Sequence, residues 1–302
     1  MGTGGVDVFE TLRSRKFLAL LAIALLVTYV LPFPFIHGFL RDYSRVREIR
    51  ERMVKEDEAI TCHDVFDADP SFFGSHGMKC NDEYYRPGER TVTVDGFRVY
   101  EDTYHEYLRA KRNLREELPT FVIFVIFAFL SFLGFSYAMV DLAVGLAGEN
   151  GRRLKEALLS GLRAIPALVA AEILVFIVLV LVLILLAIPM AIFGPLGSFM
   201  AGLIAAPAFA LVVPAYYFTK EIGLIGEIWR VARNNPGGYF TLGLGLAVLD
   251  TLMAFQYHTY LGIGTLFLML IIGGPRYLLN SLGALWVYLD TPPENQGEKQ
   301  SI

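Results

Sequence analysis

Six apolar segments, each long enough to cross a lipid bilayer, limit what this chain can fold into. They lie at residues 17–40, 119–140, 165–188, a fourth segment ending near residue 217, 239–257 and 263–289. About 20 apolar residues in a helix cross the hydrocarbon core. The composition agrees, because 55% of the residues are hydrophobic and the mean hydropathy is +0.50, more apolar than a soluble domain. The sequence therefore predicts an all-α polytopic membrane protein with six transmembrane helices.

The charged residues are distributed unevenly along the chain. Residues 41–117 hold 14 of the 26 Lys and Arg residues and 18 of the 30 Asp and Glu residues. Most other basic residues lie before residue 17, in 152–163 and in 220–233, and the two short turns on the other side contain no Lys or Arg. Short cytoplasmic loops are enriched in these residues. We therefore expect a cell-membrane protein with both termini in the cytoplasm and residues 41–117 outside.

These boundaries divide the chain into five parts. They are a cytoplasmic N-terminal segment (1–16), a first transmembrane helix (17–40), an extracytoplasmic domain (41–117), a five-helix transmembrane region (118–290) and a cytoplasmic tail (291–302). The first apolar segment is similar to a signal peptide, but no small-residue cleavage site follows it, which favours a retained helix. We interpret the six helices as three hairpins, with the external domain inserted in the first.

A weak internal repeat supports the hairpin interpretation. Arg163 and Arg233 lie 70 residues apart, and so do Pro166 and Pro236. Arg163 with Pro166, and likewise Arg233 with Pro236, ends a basic segment that precedes an apolar helix. This pattern predicts an amphipathic helix at the inner surface before the third and the fifth helix. The simpler alternative is that any cytoplasmic loop requires some basic residues. In either case the basic side chains expected to contact a partner at the inner surface are Arg152, Arg153, Lys155, Arg230 and Arg233.

The segment between the first two apolar segments has the pattern of a small α+β domain. Helix propensity favours helices at Arg41–Glu58 and Glu101–Glu117, although the first has no clear apolar stripe. Between them, two short alternating runs flank Asp95-Gly96, a dipeptide that supplies the positive φ angles of a type I′ turn. We expect a β-hairpin at residues 91–100.

The external domain contains both cysteines of the chain, Cys62 and Cys80. Outside the cytoplasm a disulfide persists, and closing this loop would stabilise a small domain by roughly 3 kcal/mol. Two alternatives remain open at this point. His63 and His76 lie close enough in sequence for a zinc site of two Cys and two His residues, although the spacing matches no strong zinc pattern, and the two thiols can also stay free.

Three ionisable residues lie inside apolar segments: Glu172, Asp250 and Arg276. A central Asp or Arg costs about 2.5–3.5 kcal/mol on insertion scales, so each should face protein or water. At about 1.5 Å per residue, Asp250 and Arg276 lie about 16 and 20 Å from the inner ends of their helices, a depth at which they can pair. Gly273-Gly274-Pro275 should kink or interrupt the sixth helix beside them. The pattern is typical of a substrate or ion site, and equally of a structural salt bridge.

Two family resemblances concern different parts of the chain. Residues 137–290 resemble the membrane domain attached to some glycerophosphodiester phosphodiesterases and its free-standing uncharacterised relatives. The similarity lies in DLAVGLAGENGRRLKEALLSGLRAIPAL, VVPAYYFTKEIGLIGEIWRVARNNPGGYF and ALWVYLD. The resemblance covers about half of the chain and implies no active site, and the phosphodiesterase catalytic domain has no counterpart here.

The front of the chain resembles ABC exporter permeases of the type-two class. The similarity lies in FETLRSRKFLALLAIALLVTYVL, followed by an external domain and five more helices. In such permeases a helix at the inner surface contacts the ATPase. The segment after the second helix lacks a convincing version of their glutamate-and-glycine signature.

The sequence contains no pattern that indicates catalysis. It has no nucleophile elbow, HExxH motif, phosphate-binding Gly loop or His-carboxylate cluster in the apolar segments, and no basic patch with interleaved aromatics for nucleic acid. We expect a non-enzymatic membrane component without cofactor or metal, acting in transport or as a scaffold. Its partners would be the lipid bilayer and other membrane proteins. The alternative is the permease subunit of an ABC exporter, which requires a separate ATPase.

Overall fold

The computed structural model describes residues 8–71, 79–148, 152–193, 195–258 and 260–292. The chain divides into two compact units. The helical unit contains Met1–Phe33, Val125–Gln256 and Ile263–Ile302, and the polar unit contains Pro34–Phe124 and Tyr257–Gly262. His76, one of the residues considered for zinc, lies outside the described residues.

The described chain is helical apart from one hairpin and short connections. In order, its elements are α1 (Val8–Arg13), α2 (Arg15–Leu25), a π-helical segment (Leu26–Val30), α3 (Phe33–Ala68), a 3-10 turn (Asp82–Tyr84), β1 (Thr91–Val94), β2 (Phe97–Tyr100), α4 (Glu101–Ala147), α5 (Leu154–Phe193), α6 (Pro195–Thr219), α7 (Ile225–Asn234), α8 (Pro236–His258), α9 (Ile263–Leu278), a second π-helical segment (Leu279–Gly283) and α10 (Ala284–Asp290).

The predicted hairpin is confirmed. Strands β1 and β2 pair antiparallel, with Val94 opposite Phe97. Asp95 and Gly96 join them with φ angles of 48° and 87°, the positive values that a two-residue primed turn requires. Helices at 41–58 and 101–117 are also confirmed, and both continue beyond the predicted ends as α3 and α4.

A small apolar core joins the hairpin to the two helices of the polar unit. Its buried members are Ile49, Met53, Val99, Tyr107 and Ala110. Ile49 and Met53 are four residues apart in α3, and Tyr107 and Ala110 are three residues apart in α4, so each pair lies on one helix face. The stripe on α3 continues through Glu56, which is 1% exposed. A buried carboxylate in the stripe is the reason that its apolar periodicity is hard to recognise in the sequence.

Glu56 is satisfied by hydrogen bonds from the strand end and the start of α4. Its carboxylate accepts from the Thr103 hydroxyl at 2.8 Å and from the Tyr100 amide at 3.2 Å. An Arg86 nitrogen lies 3.6 Å away, and the same guanidinium pairs with Asp102 at 2.8 Å. Because buried charges are stable only when paired and hydrogen-bonded, these contacts allow the carboxylate to lie inside the polar unit.

The predicted disulfide between Cys62 and Cys80 is present, so neither thiol is free for zinc. His63, the other described residue of the zinc alternative, stacks on Tyr85 with ring centroids 3.6 Å apart. Its Nε2 lies 3.0 Å from an Asp82 oxygen. The Cys62–Cys80 disulfide joins the end of α3 to the segment before the 3-10 turn.

Several helices are long and apolar enough to cross a membrane, which fits a multi-pass membrane protein. Within the described residues four qualify, Glu101–Ala147, Leu154–Ile184, Phe199–Thr219 and Ile263–Asp290, and a fifth does so if Arg15–Val30 and Phe33–Ala68 count as one broken span. Helix α5 leaves Leu162, Phe176, Leu181 and Ile184 57–64% exposed. Large apolar side chains exposed together indicate a surface that meets lipid or protein rather than water.

The first predicted transmembrane helix, residues 17–40, is not continuous. Helical structure from α2 ends at Val30, and Leu31 and Pro32 separate it from α3. Proline has no N–H to continue the helical hydrogen bonds and its ring clashes with the preceding turn. The sequence prediction treated residues 17–40 as one helix and so carried it through Pro32.

A separate surface helix before the third transmembrane helix is also not observed. Helix α5 begins at Leu154 and runs through Pro166 without a break. It packs closely on α4, since a Cβ added at Gly161 would collide with the Gly134 carbonyl oxygen. The corresponding helix α7 is separate, as predicted, because Asn235 leaves the helical region immediately before Pro236, as residues before proline tend to do.

Replacing Glu56 with alanine should destabilise the polar unit. The Tyr100 amide and the Thr103 hydroxyl would lose their acceptor, which costs about 1–3 kcal/mol when the groups stay buried. Native-state hydrogen exchange at Tyr100 measures this change. Glu51→Ala is the matched control, because Glu51 is 62% exposed and its ion-pair partner in the described part of the chain is Arg47 on the same helix face. Equal effects of the two substitutions would contradict a structural role for the buried carboxylate.

The stability of the polar unit should fall in acid. The hydrogen bond from Arg86 lowers the pKa of Asp102 below its ordinary value of 3.8. Burial raises the pKa of Glu106, but Arg52 and Arg45 outweigh this effect and lower it overall. Carboxylates with lowered pKa values stabilise the fold above their unfolded pKa values, and the contribution is lost as the pH falls through the folded values.

We therefore expect hydrogen-exchange protection of residues 91–100, corrected for intrinsic rates, to hold from neutral pH to about pH 5 and to decrease below about pH 4. Asp102→Asn removes one of the two carboxylates with a lowered pKa and should weaken the pH dependence of the hydrogen-exchange protection. Protection that rises on acidification would contradict the assignment.

Candidate functional site

The three ionisable residues singled out in the apolar segments line one cavity in the helical unit. The cavity has a volume of about 400 Å³ and lies among α4, α5, α6, α8, α9 and the second π-helical segment. Its lining is otherwise mostly apolar. The lining residues are Phe129, Phe132, Leu133, Glu172, Ile173, Phe176, Ala206, Phe209, Leu246, Asp250, Arg276 and Asn280. The sequence predicted that Asp250 and Arg276 can pair, and the packing of the helices also brings Glu172 to the same cavity.

Asp250 on α8 and Arg276 on α9 form an ion pair. Arg276 Nε lies 2.9 Å from Asp250 Oδ1, and the side chains are 34% and 44% exposed respectively. The predicted pairing is therefore present. The Arg276 guanidinium carbon also lies 5.2 Å from the centre of the Phe132 ring, a cation–π distance. Both contacts compensate the positive charge of Arg276 on the side that faces the cavity.

Glu172 on α5 differs from this pair. It is 8% exposed, and within the described ranges no hydrogen bond or ion pair to its carboxyl is found. A carboxylate removed from water without a partner is unfavourable by several kcal/mol. Glu172 lines the cavity, and its carboxyl has no hydrogen-bond or ion-pair partner among the described residues of the wall.

The predicted interruption at Gly273-Gly274-Pro275 is not observed, since Ile263–Asp290 forms one continuous helical span. Helix α9 continues through Pro275 to Leu278, and the backbone then widens into the π-helical segment Leu279–Gly283. Gly273 serves packing, because a Cβ there would lie 2.5 Å from a ring carbon of Tyr29. The glycine was interpreted as a helix breaker, and the structure shows it at a contact that only hydrogen fits.

The π-helical segment contributes Asn280 to the cavity. Its amide donates to the Ser136 hydroxyl at 3.2 Å, and both residues are buried. Single π turns inside α-helices occur frequently at functional sites. The widened turn and its asparagine join α4 to the chain segment that carries Arg276.

Sequence reasoning missed a second buried charge in the helical unit. Asp141 is 3% exposed and accepts two contacts of 3.0 Å from Arg152. The sequence signal that could have predicted this pair is that Asp141 lies only 11 residues before the basic cluster that begins at Arg152. Lys220 was considered only as a loop charge, but its ammonium lies against the rings of Tyr137, Tyr216 and Tyr217.

The five basic residues predicted to contact a partner have different environments. Arg152 is held by Asp141. Arg230 is 12% exposed, pairs with Glu227 at 2.9 Å and donates to the carbonyl oxygen of Pro292 at 3.0 Å. Three side chains remain exposed and available to a partner, those of Arg153, Lys155 and Arg233.

The lining of the cavity has the composition of a small-molecule binding site. Within the described ranges no group of three or more His, Cys, Asp or Glu residues is arranged to hold a metal ion. Asp250 is engaged by Arg276, so Glu172 has no free acid or base beside it in the described wall. An apolar concave surface with a few polar groups is the usual form of a small-molecule site.

No family model, curated protein or solved structure matches this chain. The resemblances to the phosphodiesterase-associated membrane domain and to ABC exporter permeases therefore stay predictions.

Charge exchange tests whether the ion pair contributes to stability. Asp250→Arg or Arg276→Asp alone would place like charges together and should lower the unfolding free energy by about 2 kcal/mol, less than a fully buried pair would lose. The double variant should recover more than half of this loss. Thermal unfolding in detergent micelles measures both effects. If the double variant is as unstable as the single ones, the pair is not what stabilises this position.

Proposed function

We propose that the chain is a non-enzymatic membrane carrier that binds a small ligand in the cavity lined by Glu172, Asp250 and Arg276. The proposal includes six spans, with both termini in the cytoplasm and the polar unit outside the membrane. The sixth span would be α8, whose 23 residues give about 34 Å of helix, enough for the hydrocarbon core.

One observation carries the proposal: three costly ionisable residues from three helices line the same cavity. A helix pair needs only the Asp250–Arg276 contact for a structural salt bridge. Glu172 adds nothing to that bridge, and a buried carboxyl without a partner lowers stability. Ionisable residues that serve transport typically face a cavity between transmembrane helices, and this arrangement fits that role better than a purely structural one.

The exporter-permease alternative depends on an inner-surface helix that is free to bind an ATPase. Helix α7 is separate and amphipathic, and its Trp229 is 67% exposed. These features favour the exporter-permease alternative. However, Arg230 at the centre of α7 is occupied by Glu227 and by the carbonyl oxygens of Thr291 and Pro292. We therefore give precedence to a carrier that works without an ATPase. A stoichiometric nucleotide-binding subunit in the gently purified protein would reverse that order.

Cysteine accessibility tests whether water reaches the cavity, as transport requires. The two natural cysteines are joined in a disulfide, so an introduced cysteine supplies the sole free thiol. Ala206 lines the cavity and its neighbour Ala205 does not. Since a thiol reacts as the thiolate, which forms in water and not in lipid, Ala206→Cys should react at least about tenfold faster than Ala205→Cys with a charged, membrane-impermeant methanethiosulfonate.

The comparison is matched, because both substitutions are alanine to cysteine on adjacent residues of α6. Reaction rates are measured in sealed membrane vesicles and detected by mass shift. Equal and slow reaction at both positions, from either side of the membrane, would exclude an aqueous path and leave the ion pair as a structural feature.

A further inference from the structure

We propose that the cavity selects a lipophilic organic monocation, such as a hydrophobic quaternary ammonium or phosphonium ion. This inference rests on the proposed function and specifies its ligand. The net charge of the cavity wall supports it. A cation bound beside Glu172 would stabilise its ionised form, and Glu172 and Asp250 then supply two negative charges against the one positive charge of Arg276, so that a monocation makes the site neutral.

The location of the uncompensated charge favours a cation over an anion. Arg276 is already neutralised by Asp250 at 2.9 Å and covered by Phe132, so an anion would have to displace contacts that exist. Glu172 has no such partner in the described chain. A cation placed beside it would supply the missing counterion of a carboxylate that is 8% exposed, and would do so in a low-dielectric setting where the attraction is strong.

The aromatic lining favours a large, weakly hydrated cation. Four phenylalanines face the cavity, Phe129, Phe132, Phe176 and Phe209. Ring faces attract cations, most strongly when water is excluded, and Phe132 already receives the Arg276 guanidinium in this way. A hydrophobic cation would gain these contacts and apolar burial together.

A small inorganic cation fits the same wall poorly. Hard cations require six or more oxygen ligands. The polar side chains that the described wall offers are one carboxyl without a partner, one paired carboxylate, one guanidinium and one amide already donating to Ser136. An organic ion with its charge spread over apolar groups needs no such shell.

Two probe ions of nearly equal size and shape separate charge from hydrophobicity. Tetraphenylphosphonium and tetraphenylborate differ chiefly in the sign of their charge. Equilibrium dialysis of the purified full chain in detergent, corrected with protein-free micelles, measures binding of each. We expect tetraphenylphosphonium to bind at least about tenfold more tightly than tetraphenylborate, since one probe balances the wall charge and the other adds to it. Equal binding, or tighter binding of the borate, would overturn the proposal.

Matched variants locate the effect at Glu172. Glu172→Gln keeps the shape and removes the charge, and should weaken tetraphenylphosphonium binding about tenfold. Glu156→Gln makes the same change of net charge on the same helix, at an exposed position that does not line this cavity, and should leave binding unchanged. Equal responses of the two variants would mean that the probe senses overall charge, and would overturn the assignment.

A further variant keeps the test decisive if Glu172→Gln does not fold. Phe176 is 57% exposed, so Phe176→Leu should fold normally. Loss of its ring face should reduce the preference for the phosphonium over the borate about threefold. An unchanged preference would remove the aromatic part of the argument.

The outcome separates this inference from the proposed function. If Ala206→Cys reacts quickly with the aqueous reagent but tetraphenylphosphonium is not preferred, the carrier function stands and the cationic ligand class is wrong. If Ala206→Cys does not react, the carrier function itself fails.

Discussion

A polar group inside a membrane helix must find its partner within the protein, because lipid offers none. The helical unit contains several contacts that meet this requirement. Asp250 pairs with Arg276, Asn280 donates to Ser136, and the Tyr277 hydroxyl lies 2.7 Å from that of Thr28. Each contact joins residues that are distant in the chain, so the requirement to satisfy polar groups also determines which helices lie side by side.

Glu172 departs from that rule, and the departure identifies the candidate site. Places where a folded chain keeps an unfavourable local feature are expected to be functional. The carboxyl lies on a wall shared with an ion pair and four phenylalanines. We interpret these features together as the ligand site proposed above. The carrier proposal explains why the carboxyl is present, and the cationic ligand explains why its neighbours are aromatic.

The polar unit also contains a buried carboxylate, but there the protein supplies its hydrogen-bond partners. Glu56 is 1% exposed, yet Tyr100 and Thr103 satisfy it and Arg86 lies close by. Its carboxylate stabilises the junction of hairpin and helices rather than awaiting a ligand. With the Cys62–Cys80 bridge, it gives a small domain stability that its limited apolar core would not provide alone.

The sequence by itself determined the features that depend on local chemistry. Apolar length predicted membrane helices, Asp95-Gly96 predicted the hairpin turn, and the expected extracytoplasmic location of Cys62 and Cys80 predicted a disulfide. Local chemistry also predicted too much, since helices continue through Pro166 and Gly273, where the sequence had suggested breaks. Only the tertiary structure placed Glu172 in the cavity with the Asp250–Arg276 pair, because that depends on how α5, α8 and α9 pack together. A pattern of periodicity reports the face of a helix but not which helix covers it.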